Sequence, residues 1–231
     1  MLFYYSLGSG VNVILLHGWG GSGDSMRPIA EAISSECRVF VPDFYGFGRS
    51  GEPTKALTLD DYVMAVREII IKEKLPDAYI VGHSFGGRVA VRLARNYPQY
   101  VKGLVIIDGA GLKPRRGPRY YFRVFIHKML KKIGFKGLKG SSDYRVLSPL
   151  MQATFRNIVN EYLDCDLAYV TSKTLILWGA KDKSTPLYMA RRFKRKLPSA
   201  ELKVFKEAGH FSYLDNFGQT VREIKGYIGC D

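Results

Sequence analysis

The sequence predicts an α/β fold: a mostly parallel sheet covered by helices on both faces. Three observations carry this. Short, continuous apolar runs recur along the chain, as strands buried on both faces require. Segments with apolar residues at helical spacing stand between them. Glycine-rich loops follow directly on several of the runs, and 231 residues suit a single domain with its own core.

Residues 3–7 and 12–16 are strand-like and are separated by Gly8-Ser9-Gly10. The loop His17-Gly18-Trp19-Gly20-Gly21-Ser22-Gly23 comes next. Ser22 or Asp24 then suits the cap of a helix reaching about Ser34, with Ile29, Ala32 and Ile33 on one side. Residues 38–41 form a strand stopped by Pro42-Asp43, and Gly46, Gly48 and Gly51 mark a loop. Thr58 with Asp61 is a capping-box pattern, and Tyr62, Val66, Ile69 and Ile70 continue it as a helix. A strand at 78–81 runs into Gly82-His83-Ser84-Phe85-Gly86-Gly87, and Val89, Ala90, Leu93 and Ala94 give a helix that stops before Pro98. Residues 101–107, 174–178 and 202–205 are further strands; 191–197 and 221–228 are helical.

One stretch breaks the alternation. Residues 109–172 show no clear strand and are rich in Lys, Arg and aromatics, so they are expected to form an inserted basic helical lid on a single domain spanning 1–231. Between 109 and 142 there are ten Lys/Arg and no Asp/Glu. Phe122, Phe125, Ile126, Met129 and Ile133 have the spacing of a basic amphipathic helix. Three roles fit it: covering a site with its apolar face, resting on an anionic membrane surface, or touching nucleic acid. No nucleic-acid-binding motif accompanies it, which puts the third role last.

The whole chain carries 35 Lys/Arg against 21 Asp/Glu, a formal charge of +14. Such a balance suits an anionic partner or substrate, or a solvated basic surface with no partner. Cys37, Cys165 and Cys230 are far apart and odd in number, so neither a disulfide framework nor a metal site is expected. The first residues lack the basic and apolar regions of a secretory signal, and the expectation is a cytoplasmic protein without a cofactor.

Gly82-His83-Ser84-Phe85-Gly86 is a G-x-S-x-G pattern between an apolar strand and a helix. A serine on so tight a turn is exposed at the sheet edge, and the helix start beside it favours developing negative charge. Serine needs a base. Of His17, His83, His127 and His210, the last follows the final strand and reaches the same edge. His17 is expected to brace the glycine loop, His83 to be structural and His127 to lie on the surface of the lid. The base needs an acid to set its tautomer, and Asp182, after strand 174–178, is preferred over Asp108, which ends the strand before it.

The order Ser84, Asp182, His210 and the loops around them resemble the α/β-hydrolase family over nearly the whole chain. His17-Gly18-Trp19-Gly20 resembles the family's oxyanion loop, which implies that the backbone N–H groups of Trp19 and Phe85 hold the oxyanion. Asp43-Phe44-Tyr45-Gly46-Phe47-Gly48-Arg49-Ser50 resembles a structural D-x-x-G-x-G-x-S loop. Trp178-Gly179-Ala180-Lys181-Asp182 and Gly209-His210-Phe211 resemble the acid and base loops. The family's usual N-terminal hairpin has only residues 3–7 to build it, so its first strand is expected to be missing.

The resemblance implies a serine hydrolase acting on a small ester, thioester or related acyl compound, and a serine at the elbow sets the chain apart from the dehalogenases and epoxide hydrolases that use aspartate there. Carbon–carbon bond hydrolysis remains open. So does pyruvate elimination of the menaquinone-pathway kind, because Ser84-Phe85-Gly86-Gly87-Arg88 resembles a run in that enzyme. A structural salt bridge is the preferred reading of Arg88. A different class also stays open: a low-turnover ligand-binding or membrane-surface protein on the same fold.

Overall fold

A computed structural model describes residues 1–115 and 147–229. Seven strands form one sheet in the order β1-β3-β2-β4-β5-β6-β7. They are β1 (Tyr4–Leu7), β2 (Val11–Leu16), β3 (Cys37–Pro42), β4 (Ala78–His83), β5 (Val101–Ile107), β6 (Lys173–Gly179) and β7 (Ala200–Phe205). β1 runs antiparallel to β3 at one edge, and every other pairing is parallel. Among the described residues β1 is the one antiparallel strand, and it closes that edge of the sheet.

Side-chain alternation divides the core in two. Val13 and Leu15 of β2 join Val39, Val81, Val105 and Leu177 on one face. Helix α1 (Arg27–Ile33) covers that face through Ile29 and Ile33, and the C-terminal helix through Ile224 and Ile228. Ile14 and Leu16 join Phe40, Ile80, Ile106 and Trp178 on the other. There α2 (Leu59–Lys72), α3 (Phe85–Asn96), α4 (Pro149–Asn160) and α5 (Tyr188–Lys196) pack. Each fully buried Val, Leu or Ile contributes about 1.5–3 kcal/mol, which is why runs apolar on both faces specify a sandwiched sheet.

After β2 the chain steps outward to β3 and then crosses back to β4, which pairs directly with β2. The loops leaving β2 and β4 therefore diverge at a switch point of the sheet, where open α/β sheets place their crevice. The expected glycine loop and the Ser84 turn are those two loops.

Helix starts show where local reading worked and where it failed. Thr58 and Asp61 form the full capping box of α2, each side chain bonding the other's backbone N–H. Neither Ser22 nor Asp24 caps α1. A 3-10 turn, Gly23–Met26, precedes it, and Met26 holds the cap position without a side-chain bond. Asp24 instead pairs with Arg27 at 2.9 Å. The C-terminal helix α7 (Phe217–Ile228) starts earlier than 221, and a short turn of helix, α6 (Ser212–Asp215), stands before it.

Of the expected lid, residues 109–115 and 147–172 are described. They hold α4, capped by Ser148, and a 3-10 turn at Asp166–Tyr169, with no strand among them. α4 lies against the loop after β3: the Leu57 N–H donates to Thr154 Oγ1 at 3.0 Å, and Asn157 Nδ2 donates to the Leu57 carbonyl at 3.1 Å. The expected amphipathic helix through Phe122 and Ile133, and His127 within it, lie outside the described residues.

Candidate active site

Ser84 sits between β4 and α3 with φ 50° and ψ −107°, a conformation costly for a residue with a side chain. Two glycines make the turn possible. A Cβ at Gly82 would be driven into the backbone of Gly86, and one at Gly86 into the carbonyl of Leu16. The turn is fixed by the Ser84 N–H donating to the Ile107 carbonyl at 2.9 Å and the Ala110 N–H donating to the Ser84 carbonyl at 3.0 Å.

The structure brings Ser84, His210 and Asp182 into one hydrogen-bonded chain. Ser84 Oγ lies 3.0 Å from His210 Nε2, and His210 Nδ1 lies 2.8 Å from Asp182 Oδ2. A carboxylate at Nδ1 fixes the tautomer with the proton on Nδ1 and leaves Nε2 as acceptor for the serine hydroxyl. Asp182 is buried, which alone would raise its pKa. Hydrogen bonds from His210 and Thr185 outweigh that and hold it below the usual carboxylate range. Its Oδ1 accepts the N–H groups of Ser184 at 2.7 Å and Thr185 at 2.9 Å, and Thr185 Oγ1 donates to Oδ2 at 2.6 Å.

Asp108 is not paired with the histidine. It is fully buried at the end of β5, and its two oxygens accept the N–H groups of Gly179 at 2.8 Å and Ser212 at 3.0 Å. Burial pushes its pKa up to about 7 against the pull of these donors.

The other histidines are braces. His17 Nε2 accepts the Phe44 N–H at 3.0 Å and its Nδ1 donates to the Gly18 carbonyl at 2.8 Å, tying the glycine loop to the loop after β3. His83 Nε2 donates to the His210 carbonyl at 2.8 Å. Burial lowers the pKa of both, that of His83 to about 4. Arg88, expected in a salt bridge, donates instead to the Ile158 carbonyl in α4. No carboxylate pairs with it among the described residues, and burial lowers its pKa to about 10.

A cavity of about 730 Å³ opens beside Ser84 and His210, lined by Gly18, Trp19, Gly20, Phe47, Leu147 and Phe211 among others. Trp19 packs edge-on against Phe47 at 4.9 Å and Phe85 at 5.3 Å, with Phe155 of α4 at 5.3 Å. The backbone of Gly18 lies close to Ser84: a Cβ there would be 3.4 Å from the serine Cβ. Trp19, next in the chain, and Phe85, first residue of α3, flank the serine from two sides.

Sequence reasoning missed Thr185, although the run Asp182-Lys183-Ser184-Thr185 is the local pattern of an aspartate bonding backbone and hydroxyl groups two and three residues on. It also missed the grip of Asp108 and the contact of His83 with the base loop, for which no local signal exists.

A parallel sheet that gathers a strained serine, a histidine and a buried aspartate at its carboxyl edge is the frame of a hydrolytic enzyme. The chain belongs to the alpha/beta hydrolase family, whose sequence profile matches residues 13–223. Among curated relatives, it is 25% identical to the 2-hydroxy-6-oxononadienedioate/2-hydroxy-6-oxononatrienedioate hydrolase of a Pseudomonas species, over 90% of this chain and 86% of that one. It is 24% identical to Lipase 1 of Psychrobacter immobilis, over 95% and 77%. Among solved structures, an esterase of Exiguobacterium antarcticum superposes with a TM-score of 0.80 at 22% identity, covering 99% of this chain and 95% of that one.

Proposed function

We propose that the protein is a serine hydrolase that cleaves a small ester, thioester or related acyl compound through an acyl-serine intermediate. The carrying observation is the chain Ser84 Oγ, His210 Nε2, His210 Nδ1, Asp182 Oδ2, with contacts of 3.0 and 2.8 Å. His210 takes the serine proton as Oγ attacks the acyl carbon, then passes it to the leaving group. Asp182 holds the imidazole tautomer and stabilises the imidazolium. The N–H groups of Trp19 and Phe85 receive the oxyanion, aided by the start of α3. Water, activated by the same histidine, releases the acid. The apolar wall of Trp19, Phe47 and Leu147 takes a nonpolar part of the substrate.

The reading is tested by labelling with a fluorophosphonate and by turnover of p-nitrophenyl esters of graded chain length. Labelling of the wild type that Ser84→Ala abolishes supports it; turnover unaffected by Ser84→Ala rejects it.

The likeness to a hydrolase named for an oxo-dienedioate substrate favours a second reading, cleavage of a carbon–carbon bond beside a carbonyl. The same serine and histidine would serve it, and turnover of a vinylogous diketone acid faster than of any ester decides for it. The basic stretch 109–142 favours acidic substrates, or a surface that presents them, under either reading.

A further inference from the structure

The loops that carry Asp182 and His210 are gripped by a second carboxylate, Asp108. Its strand, β5, lies between β4, which delivers Ser84, and β6, which delivers the acid loop. One carboxylate oxygen takes the N–H of Gly179, where the acid loop opens; the other takes the N–H of Ser212, two residues past His210. A rigid group with two adjacent acceptors thus ties together loops 71 and 104 residues away in the chain. The Asp108 N–H also donates to the Leu177 carbonyl at 3.0 Å, locking the aspartate to β6.

Asp108 has a φ of 46°, which a non-glycine residue adopts at a cost, and its carboxyl group is fully buried. Both features persist only where the surroundings over-determine them. Asp108 does not line the cavity beside Ser84. It is not a substitute acid either, since His210 Nδ1 is taken by Asp182 at 2.8 Å.

We propose that Asp108 is a positioning residue whose carboxylate sets the separation of the acid and base loops and, through it, the contact between His210 and Ser84. This rests on the reading of Ser84, His210 and Asp182 as the reacting groups. The base must hold Nε2 near 3.0 Å from Ser84 Oγ. A misplacement of about 1 Å costs on the order of 100-fold in rate. Without the grip, His210 keeps its partner Asp182 but the two swing together, away from Ser84.

The test compares wild type with Asp108→Asn, Asp108→Ala and Ser212→Pro. Asparagine keeps one acceptor and turns an amide toward the other N–H. Alanine removes both. Proline at 212 removes the N–H that Asp108 accepts, together with the serine hydroxyl, while leaving Asp108 itself in place, and it falls at the first position of α6, where proline is tolerated. For each, kcat and KM on p-nitrophenyl acetate, the rate of fluorophosphonate labelling of Ser84 and the melting temperature are measured.

The expected result is a parallel fall in kcat and labelling rate, by about 10- to 100-fold for Asp108→Ala and less for the other two, with KM within about twofold. Variants that melt earlier but turn over and label at wild-type rates while folded overturn the proposal. Should the Asp108 variants fail to fold, Ser212→Pro decides, and an unchanged labelling rate there overturns it. A wild type that the probe does not label brings down the reading of the site itself and the proposal with it.

Discussion

Ser84 is held at φ 50°, at a cost of about 1–3 kcal/mol, in a turn that two crowded glycines make possible. Its signature is local, so the elbow is legible in the amino-acid sequence alone. His210 and Asp182 are legible through strand order, because parallel strands deliver their following loops to one edge. Their supports are not. Asp108 and His83 act through contacts that depend on how three loops meet, whereas Thr185 reaches Asp182 within one loop, and in the sequence Asp108 stands out only as a rival acid. Three outcomes are expected at this scale. Ser84→Ala should lower turnover by several orders of magnitude, to the level the oxyanion donors alone sustain, with far-UV circular dichroism unchanged. Asp182→Asn should cost about 10⁴-fold in kcat, well beyond Asp108→Asn, because an amide favours the wrong imidazole tautomer. A larger loss in Asp108→Asn than in Asp182→Asn in steady-state assays would reassign the acid to the end of β5. The third concerns stability. The pKa of Asp108 is raised to about 7, so its contribution is fully present below the unfolded carboxylate pKa and is lost as pH rises through about 7. Wild type should therefore lose stability relative to Asp108→Asn between about pH 4 and pH 7, at most by about 1.4 kcal/mol per pH unit; parallel urea-melt curves across that window would count against it.

Among the elements, all the expected strands stand where the apolar runs put them: the inner strands β2 to β6 are runs buried on both faces, while the edge strands β1 and β7 are partly exposed. Helix ends are readable when the capping partners are neighbours in sequence and obscure when they are not. Thr58 and Asp61 bond each other's backbone three residues apart, a pattern visible in the chain. Thr58→Ala should cost about 1 kcal/mol in a denaturant melt, the usual worth of such a cap, with turnover untouched. The α6 turn has no such signal because its first N–H is satisfied by Asp108, 104 residues earlier. At the start of α1 the polar residues serve other ends: Asp24 pairs with Arg27, and Gly23 donates its N–H to buried Asp43 Oδ1 at 2.6 Å. The helix begins only after the 3-10 turn these contacts form.

At the scale of the molecule, the feature that neither fold nor site explains is charge. The formal +14 is concentrated in sequence, with ten Lys/Arg and no Asp/Glu between 109 and 142. The structure places both flanks of that stretch at the working edge of the sheet. Arg115 lies over the Tyr188 ring at 5.2 Å, its N–H donating to the tyrosine hydroxyl at 3.0 Å, and Leu147 lines the cavity beside Ser84. The proposal that follows from this charge is that the basic stretch favours anions at the cavity. Exposed charges act over a Debye length of about 10 Å at 0.1 M salt, so on this proposal a carboxylate-bearing substrate gains an attraction that a neutral ester does not. The expected result is that kcat/KM for a carboxylate-bearing p-nitrophenyl ester falls by about tenfold or more between about 20 mM and 500 mM salt. That of the neutral ester of equal length should stay within about twofold over the same range. Vesicles containing phosphatidylglycerol, compared with phosphatidylcholine alone, separate the two sources of negative charge. Salt-sensitive co-sedimentation with the anionic vesicles assigns the charge to a surface that presents substrate. Selective salt dependence without vesicle binding assigns it to the substrate. Identical salt responses of both esters, with no vesicle binding, would leave the basic stretch as a solvating surface and remove acidity from the description of the substrate.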